Sequence, residues 1–323
     1  MYIHGGFLSQ QSDTITVHIV TGNDRTQTIE IGTEKADVYF SDDPAEIENE
    51  VNDTFDVLLR NSAKIRLLCG NLITDLFSTS CRDAVVNIYK NDTCIFAGFI
   101  EPQTLSQPYN DRWDELELNC IDALSALQYS KYKNVGALGV IYAFVKAEAA
   151  QRSFYDIATE ILQGVTEGLD ILGNQNIKFW YDGSKAVDAQ TANRYQVLRQ
   201  LSISDLLFMG DDESDVWQQD EVLEELLKYL NLHIVQDGFN FYIFSWESVK
   251  ATPDKIIWHD IVANGTKTTP QQAVTIALAN VADCDTTISI GDVYNQLLLT
   301  AKVEDIESVI ESPLDDDLLV SPY

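Results

Sequence analysis

The chain has 323 residues, enough for about two domains of ordinary size. Apolar residues make up 45% and aromatic residues 10%, a globular composition that excludes a disordered chain. Acidic residues outnumber basic ones 51 to 21, and the formal net charge of −30 repels nucleic acids and anionic membranes at long range, which excludes the nucleic-acid binders that work by charge.

The opening Met1-Tyr2-Ile3-His4-Gly5-Gly6 has neither the basic segment nor the apolar run of a signal peptide, which predicts a chain made and assembled in cytoplasm. Residues 14–20 alternate with β-branched side chains, and residues 27–31 repeat the alternation after a Gly-Asn-Asp turn, predicting a hairpin. Short apolar or alternating segments follow at 55–59, 63–68, 85–89, 94–100 and 116–121, separated by polar turns such as Lys90-Asn91-Asp92. Asp122 is placed to cap a short helix through Ala123, Leu124, Ala126 and Leu127.

From about residue 136 to 231 the composition turns helical. Ser153 is an N-cap candidate, and Tyr155, Ile157, Ala158, Ile161 and Leu162 form an apolar stripe that stops near Gly164. A polar loop carrying Phe179-Trp180-Tyr181-Asp182-Gly183, a helix candidate at 195–201 and the acidic stretch 210–215 come next. Asp220 opens an amphipathic helix with Val222, Leu223, Leu226, Leu227 and Leu230 at core spacing, and segments 233–236 and 239–246 flank the turn dipeptide Asp237-Gly238. Strands are predicted at 256–258, 285–290 and 293–300. Residues 271–282 fit helix or strand, and residues 312–323 are prolines and acids around a short apolar patch. The longest nearly apolar stretch, 136–145, is too short to cross a bilayer. The reading is α+β, mainly β, in three spans: a β domain at 1–135, an α-rich insertion at 136–219, and a second β domain at 220–323.

Candidate chemistry is sparse. Cys69, Cys81, Cys94, Cys120 and Cys284 are an odd number without a CxxC pair, so they read as reduced thiols packed in strands. His4, His18, His233 and His259 have no metal or triad spacing, and all but His4 sit in candidate strands. Phosphate loops, dinucleotide fingerprints and nucleophile elbows do not occur, so no catalytic, cofactor-binding or metal-binding residue is assigned. The run Asp211-Asp212-Glu213-Ser214-Asp215 lacks the glycine and distal glutamate of a calcium loop and reads as a solvated approach to a helix. Adjacent acids such as Asp114 with Glu115, or Glu224 with Glu225, read as surface charge in so acidic a chain. Phe179, Trp180 and Tyr181 read as core packing.

Several segments resemble, in order along the chain, the hub and tail-associated proteins at the tail tip of long-tailed bacteriophages, in particular those of Bacteroides-type hosts. They are residues 2–9 with 14–19; Val86-Asn87-Ile88-Tyr89 and the strand after it, with its Phe96-x-Gly98-x-Ile100-x-Pro102 ending; residues 116–127; residues 222–232 with 234–244; and residues 290–297 with their Val293-Tyr294-Asn295 element. The resemblance implies two tube-like β-barrel domains with smaller α-containing insertions, assembled as a homotrimer whose six barrels continue a hexameric tube. It implies a non-enzymatic virion subunit that joins the tail tube and distal tail proteins to a spike or fibre, lets DNA pass without binding it specifically, and inserts in no membrane. Barrels limit exposed strand edges, and a ring repeats one interface. An acidic inner surface would repel DNA in transit. The net charge also fits solubility alone, or a basic partner. The competing readings are a carbohydrate-binding surface module using Trp180, Tyr181 and Trp217, and an acid-rich hydrolase for which no motif speaks.

Overall fold

Side chains alternating between apolar and polar favour strands, and the first 122 residues form eight of them in the computed structural model, which describes residues 1–22, 27–33, 37–50, 55–70, 76, 80–102, 113–132, 151–185, 196–209, 215–251, 255–263 and 265–270. These are β1 (Tyr2–Leu8), β2 (Thr14–Thr21), β3 (Thr28–Glu30), β4 (Val38–Glu50), β5 (Leu58–Cys69), β6 (Ala84–Lys90), β7 (Thr93–Ile100) and β8 (Asp114–Asp122). They lie in the order β4-β5-β8-β7-β6-β2-β1-β3, antiparallel except for the parallel pair β1/β3. Their inward residues, including Ile3, Val17, Ile19, Val38, Ile65 and Leu118, make one core.

The predicted hairpin of 14–20 with 27–31 is not formed. β2 pairs with β1 on one edge and with β6 on the other, setting Val17 opposite Ile88 and Ile19 opposite Val86. With both edges of β2 taken, β3 passes to the far side of β1 and pairs there in parallel. The sheet is not closed by a ladder into the expected barrel. Between the two ends of the path, Gly32 N–H donates to the Val38 carbonyl at 2.8 Å.

β4 was not foreseen, and the separate segments 55–59 and 63–68 fall largely on the single strand β5. The turn at Asn91 and Asp92 has φ of 47° and 67°, as a two-residue hairpin requires. Asp122 caps the helix α1 (Ala123–Ala126), its carboxylate accepting Ser125 N–H at 2.7 Å.

The outer faces of β6 and β7 are apolar too, with Tyr89, Ala97 and Phe99 buried in a second core. The helix α2 (Phe154–Thr166) covers them, capped by Ser153, whose hydroxyl accepts Asp156 N–H at 3.1 Å; it ends two residues beyond the predicted stop at Gly164. Its stripe of Ile157, Ile161, Leu162 and Val165 is almost fully buried, each side chain contributing about 1.5–3 kcal/mol. Buried Asn87 on β6 pins the segment after α2, donating to the Leu169 carbonyl and accepting Ile171 N–H.

The intervening elements are β9 (Gln151–Ser153), β10 (Lys178–Tyr181), α3 (Gln196–Gln200) and β11 (Ser202–Ser204). Tyr132 N–H donates to Trp217 O and Gln219 N–H to Ser130 O, both at 2.9 Å, so the chain after α1 and the chain before α4 lie side by side.

The helix α4 (Gln219–Tyr229) starts one residue before Asp220 and buries Val222, Leu223, Leu226 and Leu227. It leads into β12 (His233–Asp237) and β13 (Asn240–Phe244), turning at Gly238 with φ +54° as the Asp-Gly signal predicts. After α5 (Trp246–Ala251) come β14 (Lys255–Asp260) and β15 (Thr266–Pro270).

Phe179-Trp180-Tyr181 is not a loop. Alternation of these three aromatics makes β10, which lies between β13 and β14 in a sheet ordered β12-β13-β10-β14-β15. β12 pairs in parallel with the start of β5, through Ile234 with Leu58 and Val235 with Leu59, so the two sets of strands form one mixed sheet of 13 strands. The protein is thus mainly β, and its described residues lie in one compact unit, Met1–Gln272. The expectations for 136–145, 271–282, 285–290, 293–300 and 312–323, and for Cys284, fall outside the described residues.

Candidate functional face

Among the described residues, helices cover the outside of β6 and β7 and meet that of β4, β5 and β8 at its Arg60 end. Register fixes what this open face carries. β4 presents Glu46, Glu48 and Glu50; β5 presents Arg60, Ser62, Lys64 and Arg66; β8 presents Glu115, Glu117 and Asn119. A basic row therefore lies between two acidic rows. Such cross-strand pairing explains why an acid-rich segment with Pro44 becomes a 13-residue strand at all.

Arg66 is the centre of the ladder. Its guanidinium donates to Glu117 at 2.9 Å, to Asp43 at 2.8 Å and to Glu46 at 3.0 Å. Hydrogen bonding to Glu117, then to Glu46, holds Arg66 above its usual pKa, and the bond from Arg66 holds Glu46 below the usual carboxylate range. Lys64 lies 3.5 Å from Glu48, and Arg60 reaches across to Asp220 at the start of α4 at 2.9 Å. Ser41 donates to Glu115 at 2.8 Å. A shallow cavity of 290 Å³ opens at the Arg60 end, lined by Glu50, Lys64, Glu101 and Gln128 among others. The face carries rows of alternating charge with a shallow cavity at one end.

Where β5 runs from this face to β12, a buried polar joint holds the two sets of strands. Asp122, 1% exposed, accepts Asn61 N–H at 2.8 Å and the Ser125 hydroxyl at 2.8 Å besides the α1 cap. Gln236 accepts Ala123 N–H at 2.9 Å and donates to the carbonyls of Ala97 and Gly238. Asn61 donates to the Gln236 carbonyl at 2.9 Å. Burial pushes the Asp122 carboxyl up to about 6, against the pull of its hydrogen bonds from Ser125 and Asn61.

No family model and no curated protein matches this chain. Among solved structures, the 43 kDa tail protein of prophage MuSo2 from Shewanella oneidensis is similar over 62% of this chain and 47% of its own, with 9% identity and a TM-score of 0.36. The tail protein from Neisseria meningitidis MC58 is similar over 71% of this chain and 50% of its own, with 9% identity and a TM-score of 0.34. Both are tail proteins, and the chain spans about half of their length.

The residues singled out in the sequence are scattered. Phe179, Trp180 and Tyr181 are buried in β10, and the Trp180 indole donates to Asn240 at 3.0 Å, which leaves none of them a free face for a sugar. Trp217 is 37% exposed and packs edge-on against Phe208. Asp114 and Glu115 are neighbours on β8 and point to opposite faces of the sheet. Of the acidic run only Asp215 lies among the described residues.

Burial pushes the thiols up, Cys69 to about 11 and Cys81 and Cys94 to about 12, which keeps them inert. His4 lies in a strand after all, opposite His18. His233 and His259 are buried in β12 and β14. The ladder itself was missed, although Glu46-x-Glu48-x-Glu50 and Arg60-x-Ser62-x-Lys64-x-Arg66 already carry the period of a strand in their charges.

Proposed function

We propose that this chain is a non-enzymatic structural subunit of a phage tail, the hub at the tail tip that links the tube to a spike or fibre. The observation that carries the reading is a sheet wrapped around its own core, with helices covering one sector of its outside and, among the described residues, an acid-rich ladder of charge uncovered along most of another. The order of the resembling segments along the chain supports it as well. In this reading β1, β2 and β4 to β8 form the wall of a tube-like barrel, the strands from β10 onward belong to a second one, and three chains assemble into a ring. The bare ladder lines the passage. Asp43, Glu46, Glu48, Glu50, Glu115 and Glu117 outnumber Arg60, Lys64 and Arg66 there, so DNA slides past without being held.

Light scattering on the purified chain, with negative-stain images of the same peak, tests this. The expected result is the mass of a trimer and a central opening, with a gold label on Glu48→Cys falling at its rim. A monomer at every concentration, also when mixed with tail-tube subunits, would sink the hub reading. A ring labelled on its outside would sink the assignment of the ladder.

A further inference from the structure

On the outer face of β1 and β2, away from the ladder, three rings converge. His4 lies directly opposite His18. The Met1 amino group donates to Thr21 O at 2.7 Å and Thr21 N–H donates back to Met1 O at 3.0 Å, so the pairs counted from there alternate and His4/His18 is one of the close, non-hydrogen-bonded pairs. The two imidazoles stack with centroids 6.2 Å apart and planes 17° from parallel. Tyr2 stacks 4.9 Å from His4 and 6.0 Å from His18, and its hydroxyl lies 2.6 Å from His18 Nδ1. All three side chains are half-buried, and Tyr89 meets the inner edge of His18 at 5.4 Å.

We propose that His4 and His18 together bind a divalent transition-metal ion of the borderline class, Zn²⁺, Ni²⁺ or Cu²⁺, with water completing its shell. Neutral imidazole is the preferred side-chain ligand of these ions, and the register of β1 and β2 sets the two imidazoles side by side on one face. Tyr2 is the positioning residue. When the proton of His18 sits on Nδ1 it is donated to the Tyr2 hydroxyl oxygen, which leaves the Nε2 lone pair as the ligating position of the ring. This is the outer-shell arrangement that orients metal-bound histidines. Burial, and then the neighbouring His4, hold His18 below its usual pKa. Bound metal would cross-link β1 to β2, one strand in from β3 at the end of the strand path. With two protein ligands, the site is an open one and exchanges its ion.

The test uses the full chain without an affinity tag, titrated with NiCl₂ or ZnCl₂ alone in a calorimeter at moderate salt. One ion per chain is expected, with binding lost in His4→Ala and in His18→Ala, and weakened about tenfold in Tyr2→Phe. Because the many carboxylates provide weak background sites, paramagnetic broadening by Ni²⁺ is followed in parallel on the wild-type histidine ring signals; His4 and His18 are expected to broaden first. That readout also decides the matter if a variant fails to fold. No uptake, uptake unchanged by both histidine substitutions, or broadening that spares these two rings overturns the proposal.

Discussion

Asp122 does two jobs that pull its proton in opposite directions. As a helix cap and acceptor for Asn61 it favours the charged form, whereas its complete burial favours the neutral one and prevails, setting its pKa near 6 against an ordinary 3.8. A carboxyl whose pKa is raised on folding stabilises the native state most below the unfolded value, and this contribution is lost as the pH rises through the folded value. The window is therefore pH 4 to 6, and the linked change is about 3 kcal/mol. In Asp122→Asn this slope disappears, while an amide N–H faces the Asn61 N–H. Denaturant titrations of both proteins are expected to show the variant less stable throughout, and by a larger margin at pH 4 than at pH 7. A margin independent of pH would contradict the assignment. The capping role of Asp122 was legible in the sequence. Its partners were not, because Gln236 lies 113 residues from the Ala123 N–H that it accepts, and no local pattern encodes a meeting at that range.

At the scale of elements, propensity and periodicity located most strands and helices, and failed where a partner decided the outcome. β4 is acidic and contains a proline, so its strand state depends on the basic row of β5. β3 alternates as a hairpin arm should, yet β6 had already occupied the edge it needed. β10 reads as an aromatic loop until its neighbours β13 and β14 are known. Two glycines at the joint carry a constraint of the same long-range kind. A Cβ on Gly98 would sit 2.1 Å from the Ile121 carbonyl oxygen, and one on Gly238 would sit 2.4 Å from that of Cys94, where φ is also +54°. Both obstacles are backbone. Gly98→Ala is therefore expected to separate β7 from β8 locally and to lower stability by about 3 kcal/mol, the upper end of overpacking effects, as read by the denaturation midpoint. A loss below about 0.5 kcal/mol would show that the two strands have slack.

At the scale of the whole molecule, the charge imbalance and the β-rich composition were plain from the start, but composition left open where the acids would gather. The register of β4, β5 and β8 answers that for one face, the one that the proposed function sets along a passage. Another consequence follows from the place where the chain after α1 meets the chain before α4. Tyr132 and Trp217 are hydrogen-bonded side by side, but the stretch between them is threaded back into the sheet, because its strand β10 lies between β13 and β14. A pull between Tyr2 and Thr266 therefore crosses β10 on its way from β15 to the early strands. In optical tweezers, with handles at those two residues, no separate early release of this stretch is expected before the ladders of β10 part. An early step that lengthens the tether while the rest of the sheet holds would show instead that β10 carries no tension.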